Sequence, residues 1–182
     1  DPGTLFRRLR IMSSERVQTL KDNTENPIPV SPGQVKRNPR KIAWGVMATV
    51  NENPDQTIAF AAHHLDLGAD QVILYGDDPN ALPMELAEHP KILLVPVDSK
   101  IMSKGQRLKM PNRNARKAYY FNRARRKAKL DWLAMLDTDE FLSPSRPVRR
   151  ILARTPADAA FLTLNVVEKY AGSPDAYRAP AS

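Results

Sequence analysis

Residues 131–142 read DWLAMLDTDEFL, and this stretch limits the folds open to the chain more than any other. Trp132, Leu133, Ala134, Met135 and Leu136 form a short apolar run, and three carboxylates, Asp137, Asp139 and Glu140, follow at once. An apolar run of this length bounded by charge reads as a strand buried on both faces, as in a parallel sheet. Open α/β sheets bind their ligands beyond the carboxyl ends of such strands. Strand side chains alternate, so Asp137 and Asp139 fall on one side of an extended backbone. Two hard oxygen donors suit Mg2+ or Mn2+, and through such an ion a diphosphate. The bland alternative is a turn, where acidic residues after a strand are common.

Other segments repeat the strand signal. Residues 41–50 (KIAWGVMATV), 71–75 (QVILY), 91–97 (KILLVPV) and 159–167 (AAFLTLNVV) are apolar runs. Pro96 marks an end or an edge of the third of these. Between them lie helical patterns. Residues 55–67 place Ile58, Ala61, Ala62 and Leu65 on one face, and Gly68 stops the helix. Residues 81–89 suggest a short helix. Residues 112–129 suggest a long basic one, with Ala115, Ala118, Tyr119, Asn122 and Ala128 as its sheet-facing candidates. A further helix opens at Ser143–Pro144–Ser145 and runs to Arg154. Alternating strands and helices predict an α/β domain with a mostly parallel sheet and helices on both faces. Right-handed crossovers would line up Asn51, Asp77, Val97 and Asp137 along one sheet edge.

At 182 residues, the chain suffices for one ordinary domain. The expected division is a basic appendage and proline-rich linker over residues 1–40, a domain over 41–170, and an irregular tail over 171–182. Leu5, Phe6, Leu9 and Met12 recur at helical spacing among three arginines. That pattern suggests a basic amphipathic helix docked on its own domain, with a membrane surface as the other candidate. The absence of cysteine excludes disulfides, thiolate metal sites and cysteine nucleophiles. No apolar run approaches the roughly 20 residues of a membrane span, and no signal-peptide pattern is visible. A cytoplasmic protein, peripheral at most to the inner membrane face, is expected.

Formal net charge is +8, and the excess is concentrated. Residues 100–129 hold twelve Lys or Arg and no Asp or Glu. Such a block attracts phosphate, in nucleotides, nucleic acid or anionic lipid. Tyr119, Tyr120 and Phe121 within it could stack on single-stranded bases, which gives a non-catalytic nucleic-acid-binding module as a rival reading. Nucleic acid is nevertheless the less favoured partner, because about half of a helix's aromatics face the core. His63 and His64 are expected to divide between core and water. Trp44 and Trp132 are expected in the core.

Three families place carboxylates after an apolar strand. A P-loop ATPase also needs G-x-x-x-x-G-K followed by Ser or Thr, and the chain has no such string. A phosphatase of the haloacid dehalogenase type uses an Asp-x-Asp that normally opens its domain, whereas here most of the domain lies upstream. The third fits more of the chain. Residues 131–142 resemble the D-W-x-x-x-x-D-x-D-E-F segment of bacterial glycosyltransferases with the GT-A fold, of the family 2 type and close to family 92. Residues 41–52 (KIAWGVMATVNE) look like that family's first strand. Residues 60–78 (FAAHHLDLGADQVILYGDD) are similar to its second helix-and-strand stretch, and residues 116–122 (RKAYYFN) sit where it has Q-R-x-x-Y-N. The resemblance covers about residues 41–167.

The resemblance implies a nucleotide-diphosphate sugar donor, a UDP-sugar first, and a glycan or lipid-linked acceptor. It implies that Asp137 and Asp139 hold Mn2+ or Mg2+ on the donor diphosphate, with Asp137 also near the ribose. It places Asp77 at the base, Arg116 near the base or phosphates with Arg107 and Arg113 as rivals, and backbone groups of Val50 and Asn51 along the nucleotide pocket. Glu140 is expected to steady the metal loop and Phe141 to pack. Val50 stands where the family usually has Arg, and Asp78–Pro79–Asn80 replaces its usual Asn-x-Ser-x-Asp. The family's general base, and often a histidine metal ligand, follow the fifth strand. Here no His follows His89, and Asp158, Glu168 and Asp175 are the only later carboxylates. The acceptor half is therefore expected to be short or missing, the domain partial and the general base absent.

Overall fold

The structure is a computed structural model, and it describes residues 9–13, 42–50, 53–156, 158–164, 168–169 and 177–178. The strands are β1 (Leu9–Ser13), β2 (Trp44–Thr49), β3 (Gln71–Gly76), β4 (Ile92–Pro96), β5 (Trp132–Asp137), β6 (Phe161–Leu164), β7 (Glu168–Lys169) and β8 (Tyr177–Arg178). The α-helices are α1 (Pro54–Asp66), α2 (Lys104–Lys109), α3 (Arg113–Lys127) and α4 (Val148–Arg154). Six strands form one sheet in the order β4-β3-β2-β5-β1-β6, and β7 and β8 pair apart from it.

The four strands β4, β3, β2 and β5 run parallel with helices interleaved, a Rossmann-like α/β arrangement. Parallel strands are covered on both faces, which is why their sequences are apolar almost throughout. Period-two alternation sorts the side chains. Trp44, Val46, Ala48, Trp132, Ala134 and Leu136 pack with Phe60 and Ala61 of α1 and Val148 and Leu152 of α4. Met47, Ile73, Tyr75 and Leu133 pack with Tyr120, Phe121 and Ala124 of α3. Gly45 permits the close approach of β2 and β3, since a Cβ there would lie 2.4 Å from the Gln71 carbonyl oxygen.

Helix ends follow the sequence signals. The Asn53 side chain caps α1 by accepting from the Gln56 amide, Pro54 opens the first turn, and Gly68 leaves the helix with φ of +88°. The Asn112 side chain caps α3 by accepting from the Ala115 amide. Ser103 and Gln106 form a capping box on α2.

Several expectations are corrected. Leu9–Ser13 is a strand, antiparallel to both β5 and β6, where a basic amphipathic helix was expected; sheet pairing on two sides overrides the local helical spacing. Residues 81–89 give two short 3-10 turns, Pro79–Ala81 and Met84–Glu88, broken by Pro83. α4 starts at Val148 behind Pro147, not at Ser143. On α3 the buried residues are Lys117, Tyr120, Phe121 and Ala124, while Ala118 and Asn122 are exposed. On α1 they are Thr57, Phe60, Ala61 and His64, and Ala62 is exposed. In each helix one buried position is a basic residue with a polar partner, His64 in α1 and Lys117 in α3. β4 ends at Pro96 on the sheet edge, as Pro96 predicts.

The chain runs outward from β2 through β3 to β4, then returns to β5 on the other side of β2. The strand order therefore reverses between β2 and β5. Ligands of such sheets bind in the crevice beyond the carboxyl ends at this reversal. Thr49 and Asp137, the last residues of the two strands, stand side by side there.

Candidate functional site

Asp137 closes β5, and its main chain is pinned at once. The Glu140 amide donates to the Asp137 carbonyl at 3.0 Å, and the Asp137 amide donates to Glu140 Oε2 at 2.7 Å. This ring makes residues 137–140 a tight turn at the crevice. Burial pushes the Glu140 carboxyl above its usual value; the amide hydrogen bond opposes this and the Asp137 charge adds to it. Asp139 projects from the turn and is exposed. Thr138 is fully buried, and its hydroxyl has no partner among the described residues.

The α3 face supplies the charge. Lys117 Nζ meets Asp137 Oδ1 at 2.7 Å, with the two side chains 11% and 24% exposed. One turn further along, Tyr120 donates its hydroxyl hydrogen to Asp77, just beyond the end of β3. Arg116 Nε donates to the other Asp77 oxygen at 2.9 Å, and Arg107 lies 3.8 Å from the oxygen that Tyr120 holds. Burial acts to raise the Asp77 carboxyl, but the Tyr120 and Arg116 hydrogen bonds and the two arginine charges outweigh it and hold it below the usual range. Burial and the Asp77 carboxylate push the Tyr120 phenol well above its usual value. Its ring stacks on Tyr75, with centroids 4.9 Å apart. Arg116 also donates to the Met110 and Pro111 carbonyls, which fixes the loop ahead of α3.

The α1 face holds the chain that leaves the turn. His63 Nε2–H donates to the Leu142 carbonyl at 2.7 Å. His64 Nδ1–H donates to the Phe60 carbonyl, so its Nε2 accepts from the Leu142 amide at 3.4 Å. Both hydrogen-bonding groups of one peptide position are thus held by adjacent histidines. The Phe141 ring lies on the pair, with centroids 5.2 Å from His63 and 6.3 Å from His64. Neither histidine simply faces water.

The sequence-derived residues fall as follows. Asp137 ends β5 and Asp77 follows β3, with β2 between the two strands; Lys117 faces the first carboxylate and Arg116 and Arg107 the second. Arg116 is in the site, but as the partner of Asp77. The Val50 amide donates to the Tyr75 carbonyl at 2.8 Å and its side chain is buried, so that amide belongs to the sheet. Asn51 lies outside the described residues. Arg113 is exposed. Lys117 and Thr49 were missed, and Tyr120 was read only as a stacking candidate. The spacing 117, 120, 121, 124 is itself a helical stripe and was the available signal. Tyr120 and Phe121 are buried and the Tyr119 hydroxyl donates to the Ile101 carbonyl, so these rings do not form an open stacking platform. A groove of about 580 Å³ lined by Ile73, Leu93, Val95, Arg123 and Lys127 lies on the same face, away from both aspartates.

The donor set does not fit a divalent ion clamped by Asp137 and Asp139. Asp137 already faces an ammonium, which a cation would have to displace against like charge. Asp139 is exposed, and among the described residues no three His, Cys, Asp or Glu side chains come together as a metal site. No described helix is long and apolar enough to cross a membrane. Comparison with protein-family models, with curated proteins and with solved structures gives no match for this chain.

Proposed function

We propose that this chain is the donor-binding part of a GT-A-like glycosyltransferase, taking a nucleotide-diphosphate sugar, a UDP-sugar first, and passing the sugar to a glycan or lipid-linked acceptor. The observation that carries the reading is the crevice at the strand reversal, where Asp137 ends β5, Asp77 follows β3 and α3 brings Lys117 and Arg116 onto them. Sheets of this kind take nucleotides at that place. Cations there suit phosphates, and a carboxylate suits a ribose or base. The order of the motifs along the chain agrees with the resemblance read from the sequence. No general base is assigned to a described residue.

Isothermal titration of UDP into the chain in Mn2+ buffer tests the reading. One UDP binds per chain, and Arg116→Ala weakens it about tenfold, a loss of one charge-assisted contact. Heat changes no larger than dilution, with UDP and UDP-glucose alike, would sink the proposal.

A further inference from the structure

We infer that Lys117 and Thr49 form a built-in phosphate cradle, so that the chain holds the diphosphate of its ligand on a resident ammonium and not through a divalent cation. The inference rests on the nucleotide reading above and deepens it. Four observations carry it. First, the Lys117 ammonium has three N–H donors, and only one finds an acceptor among the described residues, Asp137 Oδ1 at 2.7 Å. Buried polar hydrogens are normally satisfied, so donors that meet no acceptor among the described residues, on a side chain 11% exposed, are open to an added acceptor such as a phosphate oxygen. Second, Thr49 is 1% exposed and its hydroxyl is unpartnered among the described residues. Thr49 lies between Tyr75 and Asp137 in register, on the face shared by Met47 and covered by α3. Thr49 thus shares a register position with Asp137, the carboxylate that Lys117 holds.

Third, this place is the strand reversal, where sheets of this kind take their ligands. Fourth, the inner carboxylate already faces a cation. A bare pair of aspartates would repel a diphosphate and need a metal to accept it. Here the Lys117 ammonium neutralises Asp137 and presents its remaining hydrogens, acting as the fixed point charge that lysine typically offers to phosphate. Arg116 and Arg107 extend the cationic side toward Asp77.

The test is UDP titration in EDTA and in Mn2+, on the wild-type chain and on two variants with unfolding midpoints measured alongside. The wild-type arm needs no substitution: affinity in EDTA is within about twofold of that in Mn2+. Lys117→Met combined with Asp137→Asn, which leaves no carboxylate facing a lost cation, weakens UDP about 30-fold in both buffers, the scale of a charged hydrogen-bonding partner. Thr49→Val weakens it about fivefold. Binding by the wild type in Mn2+ alone would overturn the cradle while leaving the nucleotide reading intact, as would wild-type affinity in the double variant. Absence of UDP binding in either buffer would overturn both.

Discussion

The two faces of the sheet treat a buried basic side chain in opposite ways. On the α1 side His64 is fully buried, and among the described residues its hydrogen-bond partners are the Phe60 carbonyl and the Leu142 amide, with no carboxylate beside it. Burial lowers its pKa to about 4, against the Phe60 hydrogen bond and with some help from His63, so it is neutral and accepts from Leu142. On the α3 side Lys117 meets a carboxylate directly. The neutral contact fixes the path of the backbone after the acidic turn. The charged contact fixes one carboxylate and no backbone. Beyond its own Asp137–Glu140 hydrogen bonds, the turn at residues 137–140 thus has two further supports, one indifferent to salt and one electrostatic.

The sharpest way to break the comparison is to remove the cation. Lys117→Met leaves Asp137 without its ammonium in a largely buried place and is expected to cost about 3 kcal/mol, at the lower edge of losses for breaking a buried pair because the site is partly open. Adding Asp137→Asn should recover most of it. Urea denaturation of the four proteins of this double-mutant cycle measures the coupling. If the Asn background leaves the cost of Lys117→Met unchanged, the pair is not what secures Lys117.

The α1 side is probed by pH. The folded-state pKa of His64 lies below the ordinary value of 6.5, so the unfolded chain takes up the proton first. Stability from this group is complete above about pH 6.5 and is lost as pH falls toward about 4. Between pH 7 and pH 5 the loss is about 2 kcal/mol by linkage. Glu140, held above its usual value, works with the opposite sign, gaining stability as pH falls through the acid range. Asp77, held low, loses its share below the usual carboxylate range, outside this window. The measure is therefore the difference between wild type and His64→Phe in urea unfolding at the two pH values. The variant should lack the 2 kcal/mol drop; an equal drop in both proteins would remove His64 as its source.

How far these features could be read in advance depended on their physical range. Strands β2 to β5 were legible because a parallel strand buried on both faces leaves an unbroken apolar run. Asp137 was legible because it ends such a run. The sequence spacing on α3 admitted two stripes, and the one with fewer charges, through Ala118 and Asn122, was the natural choice. Lys117 belongs to the other. Its burial makes sense only with Asp137, which is twenty residues away and reached by folding. His64 was masked in the same way by its distance from Leu142. The segment around Leu9 read as helical because its partners, β5 and β6, lie more than a hundred residues downstream.

The smallest expected effect separates the two devices most cleanly. Phe141 is 45% exposed, and its ring touches His63, His64 and Phe60 at centroid distances of 5.2, 6.3 and 6.3 Å. Phe141→Ala removes half-buried aromatic contact and should cost about 1 kcal/mol, well short of a core truncation. Its effect should be local. The Leu142 amide, bonded to the His64 ring on which Phe141 packs, should exchange with deuterium about five times faster, since 1 kcal/mol of local opening corresponds to that factor. The Lys117→Met/Asp137→Asn variant should leave Leu142 exchange unchanged, because the charged pair touches no part of that peptide. Equal acceleration in both variants would mean that the turn opens as one unit and that its two supports are a single device.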